Sequence, residues 1–401
     1  MIRILLQVTT SLSSFFQTGP TVHPDTLHAL PEPVKECSGI SLSGDGGYWV
    51  INDSGNSPTL YKLDGEGKWL TEVQVRNTQN VDWEALGRDD QGRLWIGDFG
   101  NNRNARKDLV IYRVPETEFL KTIKPHRFRF HYPDQESFPE VRNKRHRDAE
   151  SLILWDGRCF VLTKNRTEPF DGQVRSYEIP VTDTGSIAKA IFRDSLILGE
   201  GPMENDWITD AALSPDGRHL ALLSYGHLWM IMDVSPPDFF GGRIVKLPFS
   251  FRSQKEAICF KDDSTLVIGD ERYLGTGGFL YTVDISSPLK EHIEIRKNEV
   301  SVPEKVFRDT VEVALDLQLR GQGYYEFFDY EGNRIAFGKL GYQDRGKRTL
   351  QIYPGIRLNG TYMLNILIGD RPHGFILKRF VEMSPQEIIE QRGGSPHSEG
   401  E

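Results

Sequence analysis

Acidic and polar side chains recur in this chain as pairs fourteen positions apart. The pairs are Ser38 with Asn52, Glu84 with Asp98, Glu150 with Lys164, Asp210 with Ser224, and Glu256 with Asp270. Glu36 precedes the first pair by two positions, and Asp53 and Glu271 extend two of the others by one. Carboxylate oxygens gathered in number are hard ligands, which suit Ca²⁺ or Mg²⁺. Glu36, Asp53, Glu84, Asp98, Glu150, Asp210, Glu256 and Asp270 are therefore the candidate metal set, with Ca²⁺ the favoured ion. Glu84 and Glu150 are also candidates for general acid–base work. His146, beside Arg147-Asp148-Ala149-Glu150, is a candidate base. The competing reading is that these acids cap backbone amides and tie neighbouring elements together, and that His146 is a plain loop histidine.

Each pair brackets a hairpin pattern. An apolar run leads into a turn (Gly44-Asp45-Gly46-Gly47, Asp89-Asp90-Gln91-Gly92, Asp156-Gly157, Pro215-Asp216-Gly217 or Asp262-Asp263-Ser264), and a second apolar run follows. A third run carrying an aromatic comes next, as in Leu109-Val110-Ile111-Tyr112 or Leu228-Trp229-Met230-Ile231, and then a looser fourth. Four strands per repeat describe the blades of a β-propeller, an all-β fold in which blades stack around one axis because none can bury both its faces alone. Five blades are counted, with a sixth as the alternative. The first strand of each blade lines the channel, so the register places each pair at one mouth, first and last residues side by side. The loops there carry Asn101, Asn102, Asn165 and Arg166, which with Lys164 are candidate contacts to a small-molecule or carbohydrate ligand.

The remaining features bound the function. A net charge of −9 argues against nucleic acid as the main partner. Three cysteines, Cys37, Cys159 and Cys259, rule out a disulfide framework and read as buried thiols. Residues 1–18 read as a short signal peptide, the alternative being an ordinary tail. No stretch reaches the ~18 apolar residues of a membrane span. No Walker loop, HExxH, GxSxG or strand-following GxGxxG occurs. The propeller is assigned to 19–302. A small antiparallel β-sandwich follows over 303–383, and residues 384–401, after a helix-like start, form a disordered tail.

The ordered run Asn52-Asp53-Ser54-Gly55-Asn56, Asp82-Trp83-Glu84, Gly97-Asp98-Phe99-Gly100-Asn101-Asn102, Asp148-Ala149-Glu150, Thr163-Lys164-Asn165-Arg166, Thr209-Asp210-Ala211 and Lys255-Glu256-Ala257 resembles a Bacteroidetes-type family of secreted propellers. That family is related to the SdiA-regulated and esterase-like phytase propellers. The resemblance implies a propeller fold and calcium held by carboxylates at the channel mouth. Lys164 and Ser224 depart from an all-acid pattern. Gly323-Tyr324-Tyr325-Glu326-Phe327-Phe328-Asp329, Leu350-Gln351-Ile352-Tyr353-Pro354 and Asn359-Gly360-Thr361-Tyr362 resemble the C-terminal sorting domain of the type IX secretion system. The Pro-Asn-Pro opening of that domain is missing, and the chain runs on past the last strand. Together these imply a protein secreted or at the cell surface, with the type IX machinery as a partner; the chain is expected to be a monomer. It is expected to bind a divalent cation and a ligand or partner at the mouth. The alternative is a metal-dependent hydrolase of phosphoesters, esters or lactones.

Overall fold

The structure, a computed structural model, describes residues 17–381 except 183–184, 200, 274, 297, 318–320, 345 and 369–370. The N-terminal segment through residue 16 and the tail over 384–401 lie outside the described residues. The chain divides into two compact units, with the boundary between Leu289 and Lys290.

In the first unit the strands assemble into five antiparallel sheets. Their innermost strands are Cys37–Leu42, Trp83–Arg88, Asp148–Trp155, Asp210–Leu213 and Lys255–Asp262. Each innermost strand packs beside that of the next blade, and Lys255–Asp262 returns to Cys37–Leu42, which closes the ring. The fold is a β-propeller of five blades; among the described residues there is no sixth.

Hydrophobic packing between blades explains the closure. Five clusters of buried side chains occupy the five seams. Trp49, Ile51, Trp83 and Ile96 join blades 1 and 2. Trp95, Phe128, Cys159 and Tyr177 join blades 2 and 3. Phe160, Leu222, Trp229 and Ile231 join blades 3 and 4, and Met230, Leu247, Ile258 and Ile268 join blades 4 and 5. Leu30, Cys37, Val50, Cys259 and Leu280 complete the circle between blades 5 and 1. A strand such as Tyr48–Asn52 is buried along its whole length, which is why the inner strands read as continuous apolar runs. All three cysteines are free and buried in these seams.

The last blade takes its outer strand from the opposite end of the chain. Asp25–Ala29 pairs antiparallel with Phe279–Asp284. Short parallel strands also cover the outer edges of three blades. Gln17–Thr18 lies on Arg243–Pro248, Thr122–Ile123 on Trp69–Val75, and Ala188–Lys189 on His126–His131. Such cover removes open edges that would otherwise pair with other chains.

Turn chemistry follows the expected signals. Gly46, Gly92, Gly157 and Gly217 take φ between 69° and 88° at equivalent hairpin positions. That region is strained for residues with a Cβ. Asp89 and Asp216 fold back to accept from turn amides. The sequence reading did not include a helix here. The helix Ser286–Arg296 follows the last propeller strand, its first amide capped by Asp284 Oδ1 at 2.7 Å, with Pro288 in its first turn.

The second unit is a two-sheet sandwich. One sheet holds Glu299–Ser301, Val311–Leu317 and Gly346–Ile352. The other holds Val306–Phe307, Arg371–Arg379, Gly360–Ile368, Gly321–Phe328 and Arg334–Gln343. Val313, Leu315, Phe327, Leu364, Ile366 and Leu377 fill its core. Among the described residues no helix is long and apolar enough to cross a membrane.

The ring closure carries a direct test. Deleting residues 17–30 removes the outer strand of blade 5 and Leu30 from the last seam. Calorimetry should then show a broadened transition with a Tm lower by several degrees or more, and increased aggregation on heating.

Candidate functional site at the channel mouth

The fourteen-residue register is real, but its pairing differs from the expected one. In blades 1, 2, 3 and 5 the first strand carries a β-bulge, between Cys37 and Gly39, Trp83 and Ala85, Ala149 and Ser151, and Lys255 and Ala257. Ser38, Glu84, Glu150 and Glu256 are therefore the extra, unpaired residues. Asp98 lies opposite Trp83, and Lys164 opposite Asp148, so Glu84 and Glu150 do not face their pair-mates across the hairpin. A bulge re-aims its side chain away from the regular sheet faces. Blade 4 has none there: Asp210 pairs in register with Leu223.

The acids fall into two groups. Asp210 reaches into the seam, accepting from the Ile258 amide of the next blade at 2.8 Å and from its neighbour Ala211 at 2.7 Å. Asp270 accepts from the Phe279 amide at 2.8 Å and the Tyr281 hydroxyl at 3.1 Å. Asp98 is fully buried, takes the Asp82 amide at 3.1 Å and pairs with Arg106 at 3.0 Å. These three carboxylates bind backbone and loop. Ser38 does similar work, donating to the Trp83 carbonyl at 2.6 Å.

The second group lies close together. One oxygen each from Asp53, Asp82 and Glu84 falls within 4.8 Å of the other two. Asn80 sets this geometry. Its Nδ2 donates to the carbonyls of Asn52 and Asp53, both at 2.8 Å, while its Oδ1 accepts from the Trp83 amide at 3.0 Å. The loop after the second strand of blade 1 is thus sewn to the strand opening blade 2. Gly100 packs against the other side, where a Cβ would overlap Glu84 Oε1 and the Asp82 carboxyl. Glu84 is 7% exposed. Neither it nor Asp82 has a hydrogen-bonding side-chain or backbone partner for its carboxylate among the described residues.

Across the mouth stand the cations. Lys164 Nζ lies 3.2 Å from Glu150 and 3.7 Å from Glu256. Arg166 Nε pairs with Asp148 at 2.6 Å, and its Nη2 lies 3.8 Å from Glu150. Both cations sit over the ring of Trp207, at 4.8 and 4.4 Å. The Tyr225 hydroxyl donates to Glu256, and both Glu150 oxygens are buried without a hydrogen bond.

Electrostatics follow from this partition. Burial pushes Glu84 well up, reinforced by Glu150, Asp53 and Asp82, with Lys164 opposing. Burial also raises Glu150, against the pull of Lys164. Burial and then Asp53 lift Asp82 to about 6. Burial, Glu256 and Asp53 lift Glu271 to about 8. Two full charges within 4.8 Å of each other repel by at least about 3 kcal/mol at an effective dielectric of about 20. Without a proton or a cation among them, Asp53, Asp82 and Glu84 cannot all ionise cheaply.

The loop candidates are engaged internally. Asn101 Oδ1 accepts from the amides of Ala105 and Arg106, and its amide donates to Asp148 at 2.6 Å. Asn102 accepts from Arg166. Asn165 binds Thr167, Asp171 and the Gln173 carbonyl. Glu36 accepts from Asn56 at 2.5 Å. His146 is buried, 3.4 Å from Asp171 and 3.3 Å from Asn165. Burial, with help from Arg175, depresses it to about 4, and no mouth carboxylate is among its contacts. Four mouth residues were not singled out from the sequence: Asp82, Asn80, Trp207 and Tyr225. Asp82 stands two positions before Glu84, as Glu36 stands before Ser38, so the repeat held a signal for it. Trp207 and Tyr225 belong to the blade that lacks the bulge.

No family model matches the chain, and no curated protein matches it. Solved structures that it resembles include the PQQ-bound aldose sugar dehydrogenase of Streptomyces coelicolor, at 11% identity and TM-score 0.42 over 67% of this chain and 99% of that one. The periplasmic gluconolactonase PpgL of Pseudomonas aeruginosa is similar at 12% identity and TM-score 0.36, over 79% and 88%. PorZ, a surface component of the type IX secretion system of Porphyromonas gingivalis, is similar at 12% identity and TM-score 0.30. That match covers 85% of this chain and 51% of PorZ, about half its length. At these identities and scores the likeness carries no argument about activity, and the propeller assignment rests on the closed ring of five sheets.

Two measurements separate structural acids from the mouth cluster. Asp210→Ala strands the buried Ile258 amide and should cost about 1–3 kcal/mol in chemical denaturation. Glu271 behaves oppositely. Its folded value of about 8 exceeds the ordinary 4.5, so the native chain holds a proton that the unfolded chain lacks, and stability falls as pH rises through that window. Glu271→Gln should therefore raise Tm relative to the parent by an amount that grows from about pH 5 to pH 8. A difference constant with pH would contradict the assignment.

Proposed function

We propose that the propeller binds one divalent cation, Ca²⁺ best matching the donors, between blades 1 and 2 through Asp53, Asp82 and Glu84. The bound ion serves to hold a ligand or partner at the channel mouth. The observation that carries this reading is a trio of carboxylate oxygens within 4.8 Å of one another, two of the three groups without a donor among the described residues, in a cradle shaped by Asn80 and Gly100. An all-oxygen, multi-carboxylate set is what a hard cation selects. Glu36 adds negative potential beside Asp53. Lys164, Arg166 and Trp207 form the opposite wall, where a small hydroxylated or carbohydrate ligand would find fixed polar groups. The N-terminal segment and the sorting-like motifs of the sandwich support a secreted or cell-surface protein delivered by type IX export.

A second reading, hydrolysis, is favoured by one observation. Glu84 and Glu271 are carboxyls held above their ordinary range beside the ion position, as general acid–base catalysis needs. There the ion would polarise a phosphate, ester or lactone oxygen.

Thermal shift tests the first reading. Millimolar Ca²⁺ should raise Tm by several degrees over EDTA, and Asp53→Asn and Glu84→Gln should each abolish most of that rise. No stabilisation by Ca²⁺, Mg²⁺ or Mn²⁺ sinks it. A phosphomonoester and lactone panel on the Ca²⁺-loaded protein decides the second: absence of turnover leaves binding alone.

A further inference from the structure

Lys164 occupies an unusual place for a lysine. It ends the second strand of blade 3, at the channel mouth, with only 4% of its side chain exposed. Its Nζ is bracketed by carboxylates from two blades, Glu150 of blade 3 at 3.2 Å and Glu256 of blade 5 at 3.7 Å. Trp207 closes one side at 4.8 Å, and the Tyr225 hydroxyl holds the other Glu256 oxygen. Glu150 and Glu256 are bulge residues, aimed inward by the same backbone device that aims Glu84. The mouth therefore presents two adjoining acid clusters. One, Asp53 with Asp82 and Glu84, has no cation in contact among the described residues. The other, Glu150 with Glu256, is filled by Lys164.

We infer that Lys164 is the mouth's built-in second cation: its ammonium takes the position between Glu150 and Glu256 that a second divalent ion would need, and so limits the mouth to one. This rests on the single-ion reading above and deepens it. The consequence is chemical. Two-ion catalysis of phosphoryl transfer clamps the attacking and leaving oxygens between two metals about 3.5–4 Å apart. A lysine fixed in the second position has no vacant coordination site for either oxygen. The mouth is then confined to one-ion chemistry, or to ligand binding through one ion with Lys164 as a fixed positive neighbour. Exchanging the ammonium for an apolar group of similar length removes the cation from Glu256 and leaves Glu150 only Arg166 at 3.8 Å, and a buried charge that loses its partner is strongly destabilising. A divalent ion is the natural replacement.

Calorimetric titration of the full chain with Ca²⁺ tests this. The parent should bind one ion per chain. Lys164→Met should bind two, and Lys164→Met combined with Glu256→Gln should return to one. Stability provides a second readout should Lys164→Met fold poorly without metal. In EDTA its Tm should fall well below that of the parent, and Ca²⁺ should restore it by a larger shift than the parent shows. One ion in both the parent and a folded Lys164→Met, with equal Ca²⁺ shifts, overturns the role of Lys164 while leaving the trio site standing. Two ions in the parent overturns it as well. No ion in the parent, but one in Lys164→Met, would instead remove the trio reading and keep Lys164 as the occupant of the other cluster.

Discussion

Closing the ring is the constraint on which the rest of this propeller depends. Each blade is a sheet with two apolar faces, and such a sheet has no stable existence until both are covered. Five seams satisfy five blades only if the last meets the first. Blade 5 manages this with a strand borrowed from residues 25–29 and with Leu30 wedged into the final seam. Because every inner strand is held on both sides, the five strand starts converge on one narrow mouth, and whatever side chains they carry are forced into company.

The company is mostly acidic, and the backbone decides what each acid does. A one-residue bulge turns Glu84, Glu150 and Glu256 out of the regular pairing, where Glu150 and Glu256 meet Lys164 and Glu84 meets Asp53 and Asp82. Where the bulge is missing, Asp210 goes into the seam and binds the next blade's backbone. Two settings for a carboxylate, seam tie and mouth cluster, thus arise at one repeat position from a difference of a single unpaired residue. The mouth that results is lopsided. Its Lys164 and Arg166 side is neutralised internally, and its Asp53, Asp82 and Glu84 side holds more negative charge than its own residues balance.

Such an imbalance is rarely kept for stability, since burying ionised groups without partners works against folding. Asn80 and Gly100 add to the argument. One spends its whole side-chain amide on keeping two blades in register beside the trio, and the other leaves room for the carboxyls where any side chain would collide. Perturbed acids that are also held in place by dedicated neighbours are a mark of function.

Much of the architecture could be read from the chain alone. The recurrent fourteen-residue register, the Asp–Gly turns and the four-strand rhythm specify blades, because these are local properties of neighbouring residues. The count of five follows from the same repetition. The grouping of the acids could not be read in this way. Glu84 and Asp98 look like partners in sequence, yet a bulge offsets them by one residue and sends them to different neighbours. Asp210 looks equivalent to Glu84 and binds backbone instead. Asp82, Asn80 and Trp207 reach the mouth through contacts between blades, and His146, adjacent to the ring in sequence, turns toward Asp171. Sequence determines which strands form and which residues stand at their ends. Only closure of the ring decides which of those residues meet, because a side chain's partners at the mouth come from blades tens of residues away.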